Sequence, residues 1–88
     1  MEQREIVIEN PRGLHMRVAA EIVRLTRDNG VNVRLSRDKK QTASGDSIID
    51  LLMLDGAPGV AVRLEVIGPG EKDIARQISD LFSDGAGI

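Results

Sequence analysis

The chain has 88 residues, with no cysteine, one aromatic residue (Phe82), 12 basic and 14 acidic residues, and a formal net charge of −2. The length favours one domain over residues 1–88, the acidic balance argues against nucleic acid as a partner, and the short apolar runs predict no membrane span and no export signal. The lack of cysteine excludes disulfide and thiol chemistry and favours a cytoplasmic location, and the scarcity of aromatic rings argues against a stacking pocket for a cofactor.

The first predicted elements are a strand and a helix. Residues 4–9 alternate in polarity, with Ile6 and Ile8 on one face, as in a half-buried strand. Residues 16–28 repeat apolar side chains every three or four positions, which indicates an amphipathic helix. Gly30 follows, and glycine readily takes the left-handed conformation that ends helices. A loop of Asn10-Pro11-Arg12-Gly13 separates the two elements.

A predicted hairpin comes next. Residues 31–36 alternate as a second strand, and Asp38-Lys39 lies where a tight turn would return the chain. The returning residues 40–43 are few and polar, which is typical of an edge strand.

The second half of the chain predicts a helix, a strand and a helix. Ser47, with Asp50 three positions later, resembles a capping box at the start of a short helix over residues 48–54. Residues 60–67 alternate as a strand, and residues 71–82 carry an apolar stripe behind an acidic first turn.

The order of these elements predicts the fold class. Strand, helix, strand, strand, helix, strand and helix yield an α+β domain with helices on one face of a mostly antiparallel sheet. Residues 83–88 are expected to form a frayed tail.

His15 is the only histidine, and it stands where the glycine-containing loop becomes the first helix. Unpaired N–H groups and a positive dipole at a helix N-terminus stabilise an anion, and a neutral imidazole is a nucleophile. A phosphoryl group on His15 would suit this position, and Arg17 would add a guanidinium fork. Taken alone, His15 is more simply a packed surface residue and Arg17 a solvated charge.

The segment Gly13-Leu14-His15-Met16-Arg17 resembles the active-site stretch of HPr, the histidine-containing phosphocarrier family of the phosphoenolpyruvate-dependent phosphotransferase system. Asn10-Pro11 before it, Ala19-Ala20 in the helix and a second helix headed by Ser47 extend the resemblance over nearly the whole chain. The resemblance implies an open-faced β-sandwich, in which three helices cover one face of a four-stranded antiparallel sheet.

The resemblance also implies roles for single residues. His15 would accept a phosphoryl group on Nδ1 from enzyme I and pass it to an enzyme IIA domain, with Arg17 at the phosphoryl oxygens. The protein would then be a carrier rather than an enzyme, without a metal or cofactor. Ser47 is similar to the serine that an HPr kinase/phosphorylase modifies in some bacteria, and a plain helix cap explains its position equally well.

Differences from the family pattern affect what we expect for the rate of phosphoryl transfer and for the identity of the partner protein. Val18 replaces the usual proline after the motif arginine, and Met16 replaces a smaller residue. The second helix, residues 47–55, is similar to the nitrogen-regulatory branch of the family, NPr, and Asp50 stands where sugar-type members often carry lysine. An enzyme IIA of the nitrogen branch is therefore a candidate partner beside the IIA domains of sugar transport.

A docking patch around His15 is also predicted. Its basic rim, Arg17, Arg24 and Arg27, would suit a partner with an acidic rim. The competing interpretation assigns its apolar residues to the core, and for Ile49 and Met53 individually that interpretation is favoured. The apolar residues of this patch are Met16, Ala20, Ile48, Ile49 and Met53.

Two other functions compete with a phosphoryl carrier. The first is a regulatory docking protein of the same fold, controlled at His15 or Ser47, although regulator-only relatives tend to lack the histidine. A hydrolase or metal enzyme lacks the necessary residues, since there is one histidine and no cysteine. A transient docking surface favours a monomer.

Overall fold

The elements are β1 (Glu2–Val7), α1 (Met16–Asn29), β2 (Asn32–Ser36), β3 (Thr42–Ser44), α2 (Ile48–Met53), β4 (Ala61–Ile67) and α3 (Glu71–Leu81). The four strands are antiparallel and form one sheet in the order β1-β4-β2-β3. The computed structural model describes residues 1–38 and 40–83. Three helices complete the fold, which confirms the predicted class and the edge position of β3. No helix in these described ranges is long and apolar enough to cross a membrane.

The core lies between the sheet and the helices. Alternation along β4 sends Val62, Leu64 and Val66 inward, where they are almost fully buried. Phe82, at the C-terminal end of α3, is only 1% exposed and belongs to the core. The opposite face of the sheet carries charged side chains, among them Arg63, whose Nε lies 3.2 Å from Oε1 of Glu5 across the β1–β4 ladder. The other face therefore carries the helices.

The first strand begins and ends two residues earlier than predicted, at Glu2–Val7 rather than at residues 4–9. Its start is polar, so apolar alternation does not detect it. At its end Ile8 still donates to the carbonyl of Val60, but the N–H of Glu9 turns to the carbonyl of Phe82 beyond α3. The chain leaves the sheet there because the end of α3 supplies a competing acceptor.

The hairpin strand covers Thr42–Ser44 rather than residues 40–43. The Asp38 carboxylate accepts hydrogen bonds from the N–H groups of Lys40 and Gln41, at 2.7 and 2.9 Å, which keeps these two residues in the turn. Lys39 of the predicted turn and residues 84–88 of the predicted tail lie outside the described residues.

The helices begin and end near the predicted positions. Gly30 ends α1 with φ 62, in the left-handed region, as expected. The predicted capping box of α2 is only half formed. Ser47 Oγ accepts from the N–H of Asp50 at 3.2 Å, but the N–H of Ser47 donates to the carbonyl of Ser44 rather than to the Asp50 carboxylate.

Candidate functional site

The loop before His15 is held by a buried asparagine. Asn10 is 1% exposed, and its side-chain amide donates to the carbonyl of Gly13 at 2.8 Å. The N–H of Gly13 donates back to the carbonyl of Asn10 at 3.0 Å, and the N–H of Asn10 donates to the carbonyl of Phe82. Residues 10–13 thus form an anchored turn. The sequence predicts only a loop at these residues, although an asparagine before a Pro-X-Gly turn is typical of such a hydrogen bond.

A second segment supports the loop from the end of α2. The N–H of Leu14 donates to the carbonyl of Gly56 at 2.8 Å. Just before Gly56, Asp55 has a positive φ of 55, and Nη1 of Arg37 donates to the carbonyls of Leu54 and Asp55 at 3.2 and 3.1 Å. Arg37 thereby satisfies carbonyls at the end of α2. The sequence carries no local signal for this support, because Arg37, Gly56 and Leu14 are far apart along the chain.

His15 is the N-cap of α1, as its predicted position implies. Its Nδ1 accepts a hydrogen bond from the N–H of Arg17 at 3.3 Å, so in this arrangement Nδ1 carries a lone pair and Nε2 carries the proton. Nε2 is buried, and no described residue forms a hydrogen bond with it. The nitrogen that faces the helix N-terminus is therefore Nδ1, where positive dipoles stabilise an added anion.

The Arg17 guanidinium is free to bind a ligand. It is exposed, and within the described ranges it forms no ion pair or side-chain hydrogen bond. No acidic residue lies in the first turn of α1 to neutralise it. Apart from Arg12 and Arg17, the arginines of the described chain pair with carboxylates or backbone carbonyls: Arg4, Arg24, Arg27, Arg34, Arg37, Arg63 and Arg76.

The apolar patch beside His15 lies on the surface. Met16 is 59% exposed, Ile49 70% and Met53 76%, and Ala20 is also exposed. The core assignment that was favoured for Ile49 and Met53 is therefore wrong. Both lie on the outer side of a two-turn helix whose only buried residue is Leu51.

Of the predicted patch, Ile48 alone turns inward. It is half-buried and packs against the core. It therefore anchors α2 to the core and contributes less exposed apolar surface to the patch than its neighbour Ile49.

Helices α1 and α2 lie side by side and run in opposite directions. The end of α1 meets the start of α2 where Nε of Arg27 lies 2.6 Å from Oδ1 of Asp46. The start of α1 meets the end of α2 where Leu14 binds Gly56. This arrangement brings Met53, near the end of α2, to the same end of the helix pair as His15.

Two arginines of the predicted basic rim are already paired within the molecule. Arg27 binds Asp46, and Arg24 binds Glu21 and Asp28 on its own helix. The hydrogen bond from Arg24 lowers the pKa of Glu21 below its ordinary value, as expected for a formed ion pair. The rim is therefore a set of neutralised pairs, and only Arg17 keeps an uncompensated charge there.

The Ser47 hydroxyl acts as a helix cap, since it accepts the N–H of Asp50. We expect Ser47→Ala to lower the free energy of unfolding by about 1 kcal/mol, the usual loss for a removed N-cap. Urea unfolding followed by circular dichroism measures this change. Ser36→Ala, which removes a hydroxyl from β2 rather than from a helix start, is the matched control. Equal losses in the two variants would contradict the capping role.

The chain is similar to known phosphocarrier proteins over nearly its whole length. The family model for the PTS HPr component phosphorylation site matches residues 2–84. Phosphocarrier protein NPr of Escherichia coli is 34% identical over 91% of this chain and 89% of its own length. Phosphocarrier protein HPr of Cupriavidus necator is 33% identical over 97% of this chain and 99% of its own.

A solved structure has the same fold. HPr of Thermoanaerobacter tengcongensis superposes with a TM-score of 0.81 and 26% identity, over 93% of this chain and 91% of that chain. The match in sequence family and in fold, together with a helix-capping histidine beside an unpaired arginine, identifies the chain as a member of the HPr/NPr phosphocarrier family of the phosphotransferase system.

Proposed function

We propose that this protein accepts a phosphoryl group on Nδ1 of His15 from the phosphohistidine of enzyme I and passes it to an enzyme IIA domain. The observation that carries the proposal is the cap geometry, in which the Nδ1 lone pair points at the N-terminus of α1. The uncompensated guanidinium of Arg17 would bind the phosphoryl oxygens.

The chemistry at His15 is a transfer between two imidazole rings. The Nδ1 lone pair forms a new N–P bond while the donor's P–N bond breaks, and that electron pair returns to the donor ring. The donor ring takes up a proton and His15 gives one up from Nε2, so that atoms and charge balance. Arg17 and the helix dipole would stabilise the charge on the moving group, and the same transfer in reverse delivers it to IIA. The protein is a carrier here and has no turnover of its own.

Partners would dock on the patch formed by Met16, Ala20, Ile49 and Met53. These side chains are exposed on the neighbouring helices α1 and α2, and Met16 and Met53 lie at the end of the helix pair that carries His15, as an interface that brings two histidines together requires. The similarity to NPr supports an enzyme IIA of the nitrogen branch as the acceptor. A transient exchange of this kind suits a monomeric protein of the cytoplasm.

Ser47 would regulate this docking where an HPr kinase/phosphorylase is present. The hydroxyl lies at the start of α2, next to exposed Asp46 and Asp50. A phosphoryl group there would add about two negative charges beside those of Asp46 and Asp50, which would repel an acidic partner surface.

The test is phosphorylation by enzyme I. The protein is incubated with enzyme I, phosphoenolpyruvate and Mg²⁺, and its intact mass is measured before and after brief acid treatment. We expect one acid-labile phosphoryl group, with none on His15→Ala. If a competent enzyme I leaves the protein unmodified, the carrier function is wrong, and a regulatory docking function becomes the better explanation.

A further inference from the structure

Within residues 1–38 and 40–83, two arginines have no side-chain partner, and both flank His15. Arg17 follows His15 by two residues, and Arg12 precedes it by three. Arg12 is exposed, and in the described part of the chain its guanidinium, like that of Arg17, makes no ion pair or hydrogen bond. Every other arginine there is engaged by a carboxylate or a carbonyl. An unpaired guanidinium keeps its full charge and its donors for an external ligand.

The backbone holds Arg12 in a defined place. The turn at residues 10–13 is closed by the N–H of Gly13 on the carbonyl of Asn10 and tied to the end of α3 through Phe82. Gly13, with φ 63, lies in the left-handed region, and its carbonyl accepts the N–H of His15 at 3.1 Å. Three Cα–Cα steps place Arg12 and His15 at most about 11 Å apart, which the long Arg12 side chain, the imidazole ring and a phosphoryl group together can span.

We propose that Arg12 is a second guanidinium that binds the oxygens of the phosphoryl group carried on His15, together with Arg17. The proposal rests on His15 as the phosphoryl acceptor. A phosphoryl group with three oxygens has acceptors for two guanidinium forks, and two positive charges offset its two negative ones. Arg12 would thus stabilise the phosphorylated form and speed its formation.

A chemical donor tests this contact without any partner protein. Phosphoramidate transfers its phosphoryl group to an imidazole as its own P–N bond breaks with release of ammonia, and the chain has one histidine. The ³¹P chemical shift, followed from about pH 5 to about pH 8, then reports the pKa of the phosphoryl group on His15, because its second proton dissociates in that range.

We expect Arg12→Met to raise this phosphoryl pKa by about half a unit, since a nearby positive charge favours the dianion. Arg12→Lys should keep most of the wild-type value. Arg34→Met is the matched control, because it removes an exposed arginine from the opposite face of the sheet. A phosphoryl pKa in Arg12→Met equal to that of wild type and control would overturn the proposal.

Transfer from enzyme I gives a second readout. We expect a rate constant about fivefold lower for Arg12→Met, and no change for Arg34→Met, as for one lost charge-assisted contact in the transition state. A shifted phosphoryl pKa with no transfer from enzyme I to any form of the protein would support the Arg12 contact and reject the proposed relay. Thermal unfolding of the variants confirms that each is folded.

Discussion

Replacing Gly13 by alanine is expected to lower the free energy of unfolding by about 3 kcal/mol, from left-handed strain together with overpacking. Gly13 has a φ of 63, and a Cβ there would collide with the carbonyl oxygen of Gly56. That oxygen accepts the N–H of Leu14, next to His15, so the collision also displaces the loop that precedes His15. Urea unfolding measures the stability, and transfer from enzyme I should slow by about tenfold or more because the acceptor is misplaced.

Gly30 supplies the control for this prediction. It has nearly the same φ, 62, but a Cβ added to it would meet no atom within 4 Å. Gly30→Ala should therefore show the backbone strain alone, a loss of about 1 kcal/mol with unchanged phosphoryl transfer. Equal losses of unfolding free energy in the two variants would mean that Gly56 moves to accommodate the new methyl group. The contact between the loop at Gly13 and the segment at Gly56 would then be easily displaced.

The elements that could be predicted from the sequence are those that local rules determine. Apolar alternation located β4, and a left-handed glycine ended α1 at the expected residue. The start of β1 could not be found this way, because Glu2 and Gln3 join the sheet only through their pairing with β4. Its end depends on the carbonyl of Phe82, an acceptor from the other end of the chain.

The candidate site also has features that the sequence predicts and features that depend on contacts between distant residues. A histidine at the start of a helix and an arginine two residues later are visible in the sequence, and the structure adds which ring nitrogen faces the helix. The supports of the loop, Asn10 and Gly56, act through contacts that no local pattern reports. Phosphorylation of His15 itself stays a prediction.

The charge state of the rim could have been partly predicted. Arg24 has acidic residues three positions before it and four after it, a spacing that forms ion pairs along one helix. The pairing of Arg27 with Asp46 joins two different elements and depends on the packing of α1 against α2. Charge counted along the sequence therefore overstates the positive potential of the docking patch.

Replacing Ile49 by serine is expected to weaken binding to enzyme I between tenfold and about a hundredfold. Burying an exposed isoleucine in an interface contributes about 1.5–3 kcal/mol, and this contribution is lost with the side chain. Since Ile49 is 70% exposed, the free energy of unfolding should change by no more than about 0.5 kcal/mol. Isothermal titration calorimetry with enzyme I measures the dissociation constant.

The matched control is Ile67→Ser, the same substitution at an isoleucine that is 47% exposed on the uncovered face of the sheet. It should leave binding to enzyme I unchanged, because that face lies away from His15. A loss of affinity for Ile67→Ser as large as for Ile49→Ser would place the interface elsewhere than on the helices. The salt dependence of binding to enzyme I tests whether charged side chains contribute to the same interface. Arg24 and Arg27 already have intramolecular partners, so only Arg12 and Arg17 are unpaired near His15 among the described arginines, and raising the salt concentration should weaken binding only moderately. A salt dependence steeper than these two charges explain would show that the Arg24 and Arg27 pairs open when the partner docks.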